Sequence, residues 1–157
     1  MHNLYPLVCN LEGKRVVIIG GGTIAYRKAC GLQDTGALVT VVSPDICEEM
    51  KKLSYITWKQ KTFTEEDIKD AHLIYAATNH HDVNIRVNQA AHDFQWVNVV
   101  SDGTASSFHT PGVIRSDECV VSISTSGKNP SFTKRIKQEL TAVLPQLIKN
   151  LSRTNGQ

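Results

Sequence analysis

Apolar and polar positions alternate between two patterns over roughly the first two thirds of the chain. Short apolar runs, which are typical of strands covered on both faces of a sheet, are separated by segments whose apolar residues recur at helical spacing. Such alternation predicts a parallel sheet with helices on both faces and right-handed crossovers. The predicted strands cover 15–19, 38–43, 56–60, 73–77 and 96–100. Two predicted helices cover 24–34 and 82–94, and two more begin at Pro44, with Ser43 as the N-cap residue, and at residue 64. A β-like segment covers 4–8.

The pattern changes after Gly103, where a polar loop leads into a short strand near 113–115 and a longer strand over 118–125. An amphipathic helix follows. These elements have too little apolar surface to form a core alone, so they must pack on the preceding unit or on another copy of the chain. We therefore expect an α/β fold: a Rossmann-like doubly wound parallel sheet over residues 1–112, followed by a small α+β region over 113–157.

Two features of this C-terminal region carry further expectations. Along the longer strand, the two-residue period places serines on the face opposite the apolar side chains. Pro145 should kink or restart the helix that begins at Ser131, and residues 152–157 should fray. The serine face consists of Ser122, Ser124 and Ser126, and the opposite face of Cys119, Val121, Ile123 and Thr125.

Composition narrows the class of protein. The chain has 157 residues, of which 41% are hydrophobic, enough for one medium-sized domain with a real core. A net charge of +2 gives no overall attraction to nucleic acid or to an anionic membrane. No apolar run approaches the roughly 18 residues of a membrane span, and residues 1–10 lack the features of a signal peptide. We therefore expect a cytoplasmic protein with no nucleic-acid or membrane partner.

The cysteines and histidines do not form a recognisable metal motif. The four cysteines lack C-x-x-C spacing, which favours buried reduced thiols over disulfides or a zinc site. His80 and His81 are adjacent and have no evident third ligand, so we expect no metal site. The cysteines are Cys9, Cys30, Cys47 and Cys119.

A glycine cluster lies between the first predicted strand and the first predicted helix. Gly20, Gly22 and Ala25 fit the pattern G-x-G-x-x-G/A, in which the first glycine makes the turn and the second lets a pyrophosphate approach the backbone. The free N–H groups and the positive dipole end of the helix would face the phosphates. This interpretation predicts a bound dinucleotide, and the alternative is a glycine-rich turn that binds nothing.

The carboxyl ends of the predicted strands should lie along one edge of the sheet, where such folds bind ligands. At the end of the second strand, Ser43 occupies the position where NAD sites usually have an acid, and Asp45 follows two residues later. No arginine is there to bind a 2′-phosphate, which favours NAD over NADP. The expected cofactor-binding residues are Gly20, Gly21, Gly22, Thr23, Ile24, Ala25, Ser43, Pro44, Thr78 and Asn79, with Ser101 and Asp102 at the same edge.

Several motifs together suggest a family. In this order and combination, between about residue 4 and residue 150, they resemble the precorrin-2 dehydrogenase family, which includes the N-terminal region of siroheme synthase. The motifs are Gly20-Gly21-Gly22-x-x-Ala25-x-Arg27-Lys28, Val39-Thr40-Val41-Val42-Ser43-Pro44, Ala76-Ala77-Thr78, Asn98-Val99-Val100-Ser101-Asp102, Ser107-Phe108 with Pro111, and Ser122-x-Ser124-x-Ser126-Gly127-x-x-Pro130.

The resemblance implies an activity and an assembly. The activity is the NAD-dependent oxidation of precorrin-2 to sirohydrochlorin in siroheme biosynthesis, and some relatives also insert ferrous iron. The domain order is a Rossmann domain followed by a dimerisation region, which implies a homodimer. Longer members of the family add a helical domain. Two alternatives to a plain dehydrogenase stay open: a bifunctional dehydrogenase and ferrochelatase, and a dinucleotide-binding sensor without turnover.

The resemblance also implies catalytic residues. Removing a hydride and protons from the macrocycle needs a proton acceptor, and Asp102 is the carboxylate just past a predicted strand end. The resemblance gives Asp102 the role of general base, whereas the residues alone favour an Asx-type turn before Gly103. Many relatives carry an acid at the position of Ser101, to which the catalytic role is usually given. Both Ser101 and Asp102 are therefore candidates.

Candidate substrate-binding residues lie in the C-terminal region. Ser124 matches a family serine near the substrate pocket, and Ser126 shares its face of the strand. Lys128, on the following turn, could bind the acetate and propionate groups of precorrin-2. His109 could donate a hydrogen bond to a carboxylate. The alternatives are a solvated strand face and a solvated loop histidine.

Overall fold

The structure, a computed structural model, describes residues 4–154 and divides them into two compact units. The first unit covers Tyr5–Phe108, and the second contains Leu4 and the described residues from His109 onward. The secondary-structure elements of the two units together, in chain order, are β1 (Arg15–Ile19), α1 (Thr23–Cys30), β2 (Leu38–Val42), α2 (Glu48–Lys51), β3 (Ile56–Lys59), a 3-10 helix (Glu65–Asp67), β4 (Leu73–Ala76), α3 (His81–Ala90), β5 (Trp96–Val99), β6 (Gly112–Arg115), β7 (Val120–Ile123) and α4 (Pro130–Thr154).

The first unit is built on a five-stranded parallel sheet with the strand order β3-β2-β1-β4-β5. In β1, Val16 and Ile18 enter one buried cluster, whereas Val17 and Ile19 enter a second. The side chains of successive strand residues point to opposite faces, so both faces of the sheet are covered. This arrangement explains the continuous apolar runs and confirms the predicted Rossmann-like doubly wound sheet.

The pairing register of the strands brings their carboxyl ends to the same edge of the sheet. Ile19 of β1 pairs with Val42 of β2 and with Ala76 of β4. Val42 in turn pairs with Lys59 of β3. The loops that follow these strands therefore start at the same level, at the edge where parallel α/β sheets bind ligands.

The prediction of a helix from Pro44 is wrong, because α2 begins only at Glu48 and has Cys47 as its N-cap residue. The backbone N–H of Cys47 donates to the carbonyl of Gly21 at 2.8 Å, and the indole of Trp58 donates to the carbonyl of Ser43 at 3.0 Å. These tertiary hydrogen bonds hold the segment after β2 in a non-helical path beside the glycine turn.

Other predictions at element ends also need correction. Residues 4–8 form no strand and are exposed, with Tyr5 86% exposed, because no neighbouring strand pairs with them. The helix predicted over 82–94 ends at Ala90, and Phe94, expected on its apolar stripe, is 95% exposed. All four cysteines are free, as predicted, but none is buried.

The second unit pairs β6 with β7 in antiparallel fashion and packs α4 against both strands. The predicted alternation along β7 is confirmed, since the serine face is exposed and the apolar face is half-buried. The helix does not restart at Pro145, because α4 is one helix through Thr154. The fraying expected over 152–157 does not begin at residue 152, and residues 155–157 lie outside the described residues. Among the described helices, none is both long and apolar enough to cross a membrane.

Candidate functional site

A cavity of about 330 Å³ opens at the carboxyl ends of the first four strands of the sheet. Each of these strands contributes its last residue, residues of the segment that follows it, or both. Of the ten expected cofactor residues, seven line this cavity, whereas Thr23, Ile24 and Ala25 form the first turn of α1, with Ala25 fully buried. The lining comprises Ile19–Gly22 at the end of β1, Val42–Asp45 at the end of β2, Thr62 and Phe63 after β3, and Ala77–His80 with Val83 after β4.

Two of the three glycines are required by the protein's own packing. Gly20 has a φ of +122°, and a Cβ atom there would overlap the carbonyl of Ala77. A Cβ atom at Gly21 would overlap the carbonyl oxygen of Asp45 and lie 2.8 Å from Ser43 Oγ. A side chain at either position would therefore force the loops after β2 and β4 away from β1.

Gly22 differs from the other two glycines. A Cβ atom at Gly22 would meet no protein atom within 4 Å, and its φ of −84° is allowed for any residue. Neither packing nor backbone conformation therefore requires glycine at this position. Because Gly22 lines the cavity, the space that a Cβ atom would fill is available to a ligand that approaches the backbone. The residues present thus fit a dinucleotide pyrophosphate.

The N-terminus of α1 lies beside the same cavity. Gly22 is its N-cap residue, so no side chain caps the helix, and the first turn contains no acidic residue. The N–H groups of the first helical turn have no partner within the helix itself. Together with the positive end of the helix dipole they favour an anion at this point.

The end of the cavity next to β2 carries a negative charge. Asp45 lines it and is held by the backbone N–H of Ile46, which donates to Asp45 Oδ1 at 2.8 Å. On the neighbouring strand and loop, Lys59 and Lys61 lie 3.6 and 2.8 Å from the carboxylate of Asp67. These two lysines therefore have a carboxylate partner of their own.

Asp67 is a nearly buried carboxylate, with its side chain 4% exposed. Burial alone would raise its pKa. Hydrogen bonds from Lys61 and from the backbone and hydroxyl of Thr64 outweigh burial and lower the pKa below its ordinary value. The carboxylate is therefore ionised near neutral pH and can hold both lysines.

A hydrogen-bond network connects the loop after β4, the start of α3 and the loop after β5. Its centre is Asn84, which is fully buried. Thr78 donates to Asn84 Oδ1 through its backbone N–H at 3.1 Å and through its hydroxyl at 2.7 Å. Asn84 Nδ2 lies 3.3 Å from Ser101 Oγ, and His81 Nδ1 lies 3.2 Å from the same oxygen.

The sequence motifs predict neither the role of Asn84 nor the contact of His81 with Ser101. Asn84 lies between Val83 and Val87 on the packed face of α3, so a polar residue in an apolar stripe was the available signal. From the sequence, His81 is considered only as a possible metal ligand. In residues 4–154, no group of three or more His, Cys, Asp or Glu side chains is arranged to hold a metal ion.

Asp102 forms the Asx-type turn that the residues alone favoured. Its Oδ1 accepts hydrogen bonds from the hydroxyl of Thr104 at 2.6 Å, from the backbone N–H of Thr104 at 2.8 Å and from that of Ala105 at 3.4 Å. The hydroxyl bond from Thr104, followed by the backbone bonds, lowers the pKa of the Asp102 carboxyl. A carboxylate held in this way is a weak proton acceptor.

The serines that follow Asp102 hold the edge strand β5. Ser107 Oγ accepts the backbone N–H of Val97 at 2.7 Å, and Ser106 Oγ accepts that of Val99 at 2.8 Å. Phe108 then packs edge-on against Tyr75, with ring centroids 5.3 Å apart. The hydroxyl oxygens of these two serines therefore accept backbone N–H groups of the edge strand.

The expected substrate residues all belong to the second unit. Ser124, Ser126 and Lys128 are exposed, and His109 is half-buried. Ser124 Oγ accepts the backbone N–H of Ser126 at 3.1 Å, and Ser126 itself adopts a φ of +54°. The turn after β7 therefore brings Ser124 and Ser126 together within this unit, whereas Ser101 and Asp102 belong to the first unit.

Three consecutive glycines line a cavity at the carboxyl ends of the strands of a five-stranded parallel sheet. This arrangement defines a dinucleotide-binding protein of the Rossmann class. A family model described as "Putative NAD(P)-binding" matches residues 7–112. Precorrin-2 dehydrogenase of Bacillus subtilis (strain 168) is 38% identical over 144 residues, which cover 90% of this chain and 89% of that protein. The chain therefore belongs to the precorrin-2 dehydrogenase family.

Two further comparisons agree with this assignment. A solved structure titled "SirC, precorrin-2 dehydrogenase" superposes with a TM-score of 0.77 at 33% identity, covering 88% of this chain and 70% of that one. Siroheme synthase of Tolumonas auensis is 38% identical over 154 residues, which cover 97% of this chain and 33% of that protein. The chain thus spans about a third of the length of the siroheme synthases that it matches.

Proposed function

We propose that the chain oxidises precorrin-2 to sirohydrochlorin, the dehydrogenation step of siroheme biosynthesis, with NAD as the hydride acceptor. The observation that carries the proposal is the cavity at the carboxyl ends of the strands, with Gly22 open toward it, in a chain of this family. When bound, the nicotinamide dinucleotide supplies the hydride acceptor.

The chain's own residues would hold the cofactor. The backbone of Gly20–Gly22 and the first-turn N–H groups of α1 would bind the pyrophosphate. Ser43 and Asp45 would bind the hydroxyl groups of the adenosine ribose, and Thr78 and Asn79 would lie toward the nicotinamide half. These roles follow the order of the strands in a Rossmann sheet.

NAD is preferred to NADP in this proposal because of charge. Asp45 would face the ribose hydroxyls of NAD favourably and would repel a 2′-phosphate. No Arg or Lys is among the described residues that line the cavity. The nearby Lys59 and Lys61 are paired with Asp67, which further supports NAD.

The second unit would bind the substrate and pair with a second copy. Ser124, Ser126, Lys128 and His109 are proposed partners of the substrate carboxylates. The proposed domains are 1–112 for the cofactor and 113–157 for substrate binding and dimerisation. Exposed apolar side chains of the second unit support a homodimer, and light scattering of the purified protein tests it. These side chains are Val120, Phe132, Val143, Leu147 and Leu151, each 50–58% exposed.

An anaerobic assay tests the proposed function. Purified protein is mixed with precorrin-2 and either NAD or NADP, while the absorbance of reduced nicotinamide and of sirohydrochlorin is followed. We expect both products to appear with NAD and at least tenfold more slowly with NADP. Adding ferrous iron after the reaction is complete measures chelation separately. A folded protein that forms no product with either dinucleotide contradicts the proposal.

A further inference from the structure

We propose that Asn84 is a positioning residue of the cofactor site, and that it presents the side-chain amide of Asn79 to the nicotinamide half of the dinucleotide. This inference deepens the proposed function and rests on its placement of NAD in the cavity. It concerns the loop between β4 and α3, where Ala77–His80 all line the cavity. Asn84 is fully buried in α3 and does not itself line the cavity.

The side chain of Asn84 uses its whole hydrogen-bonding capacity inside the protein. An amide accepts two hydrogen bonds at its oxygen and donates two through its nitrogen. Asn84 Oδ1 accepts the backbone N–H and the hydroxyl of Thr78 at 3.1 and 2.7 Å. Asn84 Nδ2 donates to the carbonyl of Thr78 at 3.1 Å and to Ser101 Oγ at 3.3 Å. No donor or acceptor of this side chain is left for a ligand, so Asn84 acts through the residues that it holds.

The Asn84 amide has only one orientation that fits its partners. The backbone N–H of Thr78 can only donate, and it faces Asn84 Oδ1. The carbonyl of Thr78 can only accept, and it faces Asn84 Nδ2. Exchanging oxygen and nitrogen would set donor against donor and acceptor against acceptor at a fully buried residue. The grip of Asn84 on Thr78 is therefore specific to an amide.

Asn84 holds the loop at two points, one on each side of Asn79. Before Asn79, the side chain of Asn84 binds Thr78 as described above. After Asn79, the carbonyl of His80 accepts the backbone N–H of Asn84 at 3.1 Å. Thr78 Oγ also accepts the backbone N–H of His80 at 3.2 Å, which closes the loop. The backbone on both sides of Asn79 is thus fixed to α3.

Asn79 differs from both of its neighbours in the loop. It is exposed and lines the cavity, and within residues 4–154 its side-chain amide has no hydrogen-bond partner. An amide offers donors and acceptors that suit the ribose hydroxyls and the carboxamide of a nicotinamide riboside.

The position of the loop in the sheet indicates which half of the cofactor Asn79 would meet. Strand β4 lies on the side of β1 opposite to β2, so the loop after β4 would face the part of the dinucleotide beyond the pyrophosphate. Because Asn84 orders this loop in the free protein, binding has fewer groups left to order.

Titrations with NAD and with ADP test the proposal. ADP contains only the part of the cofactor that the glycine turn and Asp45 would hold. We expect Asn79→Ala to raise the Kd for NAD about 2- to 12-fold for each hydrogen bond that it loses, and Asn84→Ala to raise it at least as much. The Kd for ADP should stay unchanged in both variants. An Asn79→Ala protein that binds NAD as tightly as the wild type overturns the proposal.

A double variant tests whether Asn84 acts through Asn79. The Kd for NAD of Asn79→Ala/Asn84→Ala should equal that of Asn84→Ala, because an amide that is no longer held in place contributes little to binding. Losses that add fully in the double variant overturn the proposal. Should Asn84→Ala fail to fold, Asn84→Asp takes its place in the same titrations, because it keeps the acceptor for Thr78 but sets an oxygen against the carbonyl of Thr78.

Gln95→Ala is the matched control for a purely structural role. The side-chain amide of Gln95 also holds backbone carbonyls, those of Ile68 and Ala71 at 2.6 and 2.7 Å, but Gln95 does not line the cavity. We expect Gln95→Ala to lower Tm, as Asn84→Ala does, and to leave both Kd values unchanged. An equal loss of NAD and ADP affinity in Asn84→Ala would indicate general damage to the site and overturns the proposal.

These outcomes separate the inference from the proposed function, because the titrations need no precorrin-2. A protein that shows the expected changes in NAD affinity but does not oxidise precorrin-2 contradicts the proposed function and supports the inference. Turnover of precorrin-2 together with wild-type NAD affinity in Asn79→Ala supports the function and overturns the inference.

Discussion

Gly22→Ala separates cofactor binding from folding more cleanly than changes at the neighbouring glycines. At Gly20 and Gly21, a Cβ atom would overlap backbone carbonyls, so such variants would damage the fold itself. At Gly22 a Cβ atom meets no protein atom within 4 Å, and the φ of −84° suits alanine. The added methyl group projects beside the cavity, where the pyrophosphate would approach.

The expected magnitudes follow from these contacts. Alanine is a poorer N-cap residue than glycine by about 0.5–1.5 kcal/mol, and replacing glycine reduces the entropy of the unfolded chain by about 0.4–1 kcal/mol. The net change in the free energy of unfolding is therefore within about 1 kcal/mol. Losing one charge-assisted hydrogen bond to a phosphate costs about 1.5–3 kcal/mol, so the Kd for NAD should rise about 10- to 150-fold.

Calorimetric titration with NAD and thermal unfolding check the two expectations on the same samples. Gly31→Ala is the matched control, because its Cβ atom would lie 3.4 Å from the carbonyl of Lys28, an ordinary contact away from the cavity. We expect Gly31→Ala to bind NAD as the wild type does. Wild-type NAD affinity in a folded Gly22→Ala protein would refute the placement of the pyrophosphate.

Three further predictions concern charge and buried hydrogen bonds. Asp45→Ser removes the charge that repels a 2′-phosphate, so the Kd for NADP should fall about fivefold, equivalent to about 1 kcal/mol; an unchanged ratio of NAD to NADP affinity in fluorescence titrations would exclude Asp45 as the discriminating residue. The pKa of Asp67 is lower in the folded protein than in the unfolded chain. The ionised carboxylate therefore stabilises the folded protein fully at pH values above the unfolded-state pKa of about 3.9, and this stabilisation is lost as the pH falls through the folded-state pKa. Asp67→Asn should therefore lower Tm at pH 7 and make little difference in strong acid, and a Tm difference independent of pH would contradict this. Ser107→Ala leaves the buried N–H of Val97 without its hydroxyl acceptor and should lower the free energy of unfolding by about 1–3 kcal/mol, whereas a wild-type urea midpoint would show that Ser107 is not needed there.

Local pattern was sufficient for the sheet and the glycine turn. The apolar run of β1 is continuous because both faces of the sheet are covered. Gly20, the first glycine of the predicted pattern, makes a turn in which a Cβ atom would overlap the carbonyl of Ala77. The alternation of β7 was equally local. For these elements, period and backbone sterics determine the structure before any tertiary contact is known.

The remaining features depend on contacts between distant parts of the chain. The segment after Ser43 has residues typical of a helix start, yet Cys47 donates its backbone N–H to the carbonyl of Gly21, and the helix begins only at Glu48. Asn84 gains its partners only when α3 places it beside Thr78 and Ser101. Such pairings have no periodic signature, so no reading of one segment alone would have found them.

The stoichiometry of a single anaerobic turnover is the sharpest test of whether this chain oxidises precorrin-2 with NAD. Excess folded protein, saturated with NAD, is mixed with a limiting amount of precorrin-2, and reduced nicotinamide and sirohydrochlorin are measured together. We expect one reduced nicotinamide to form for each sirohydrochlorin, in the same kinetic phase. Sirohydrochlorin formed without reduced nicotinamide, or precorrin-2 left unchanged by protein that binds NAD, would contradict it.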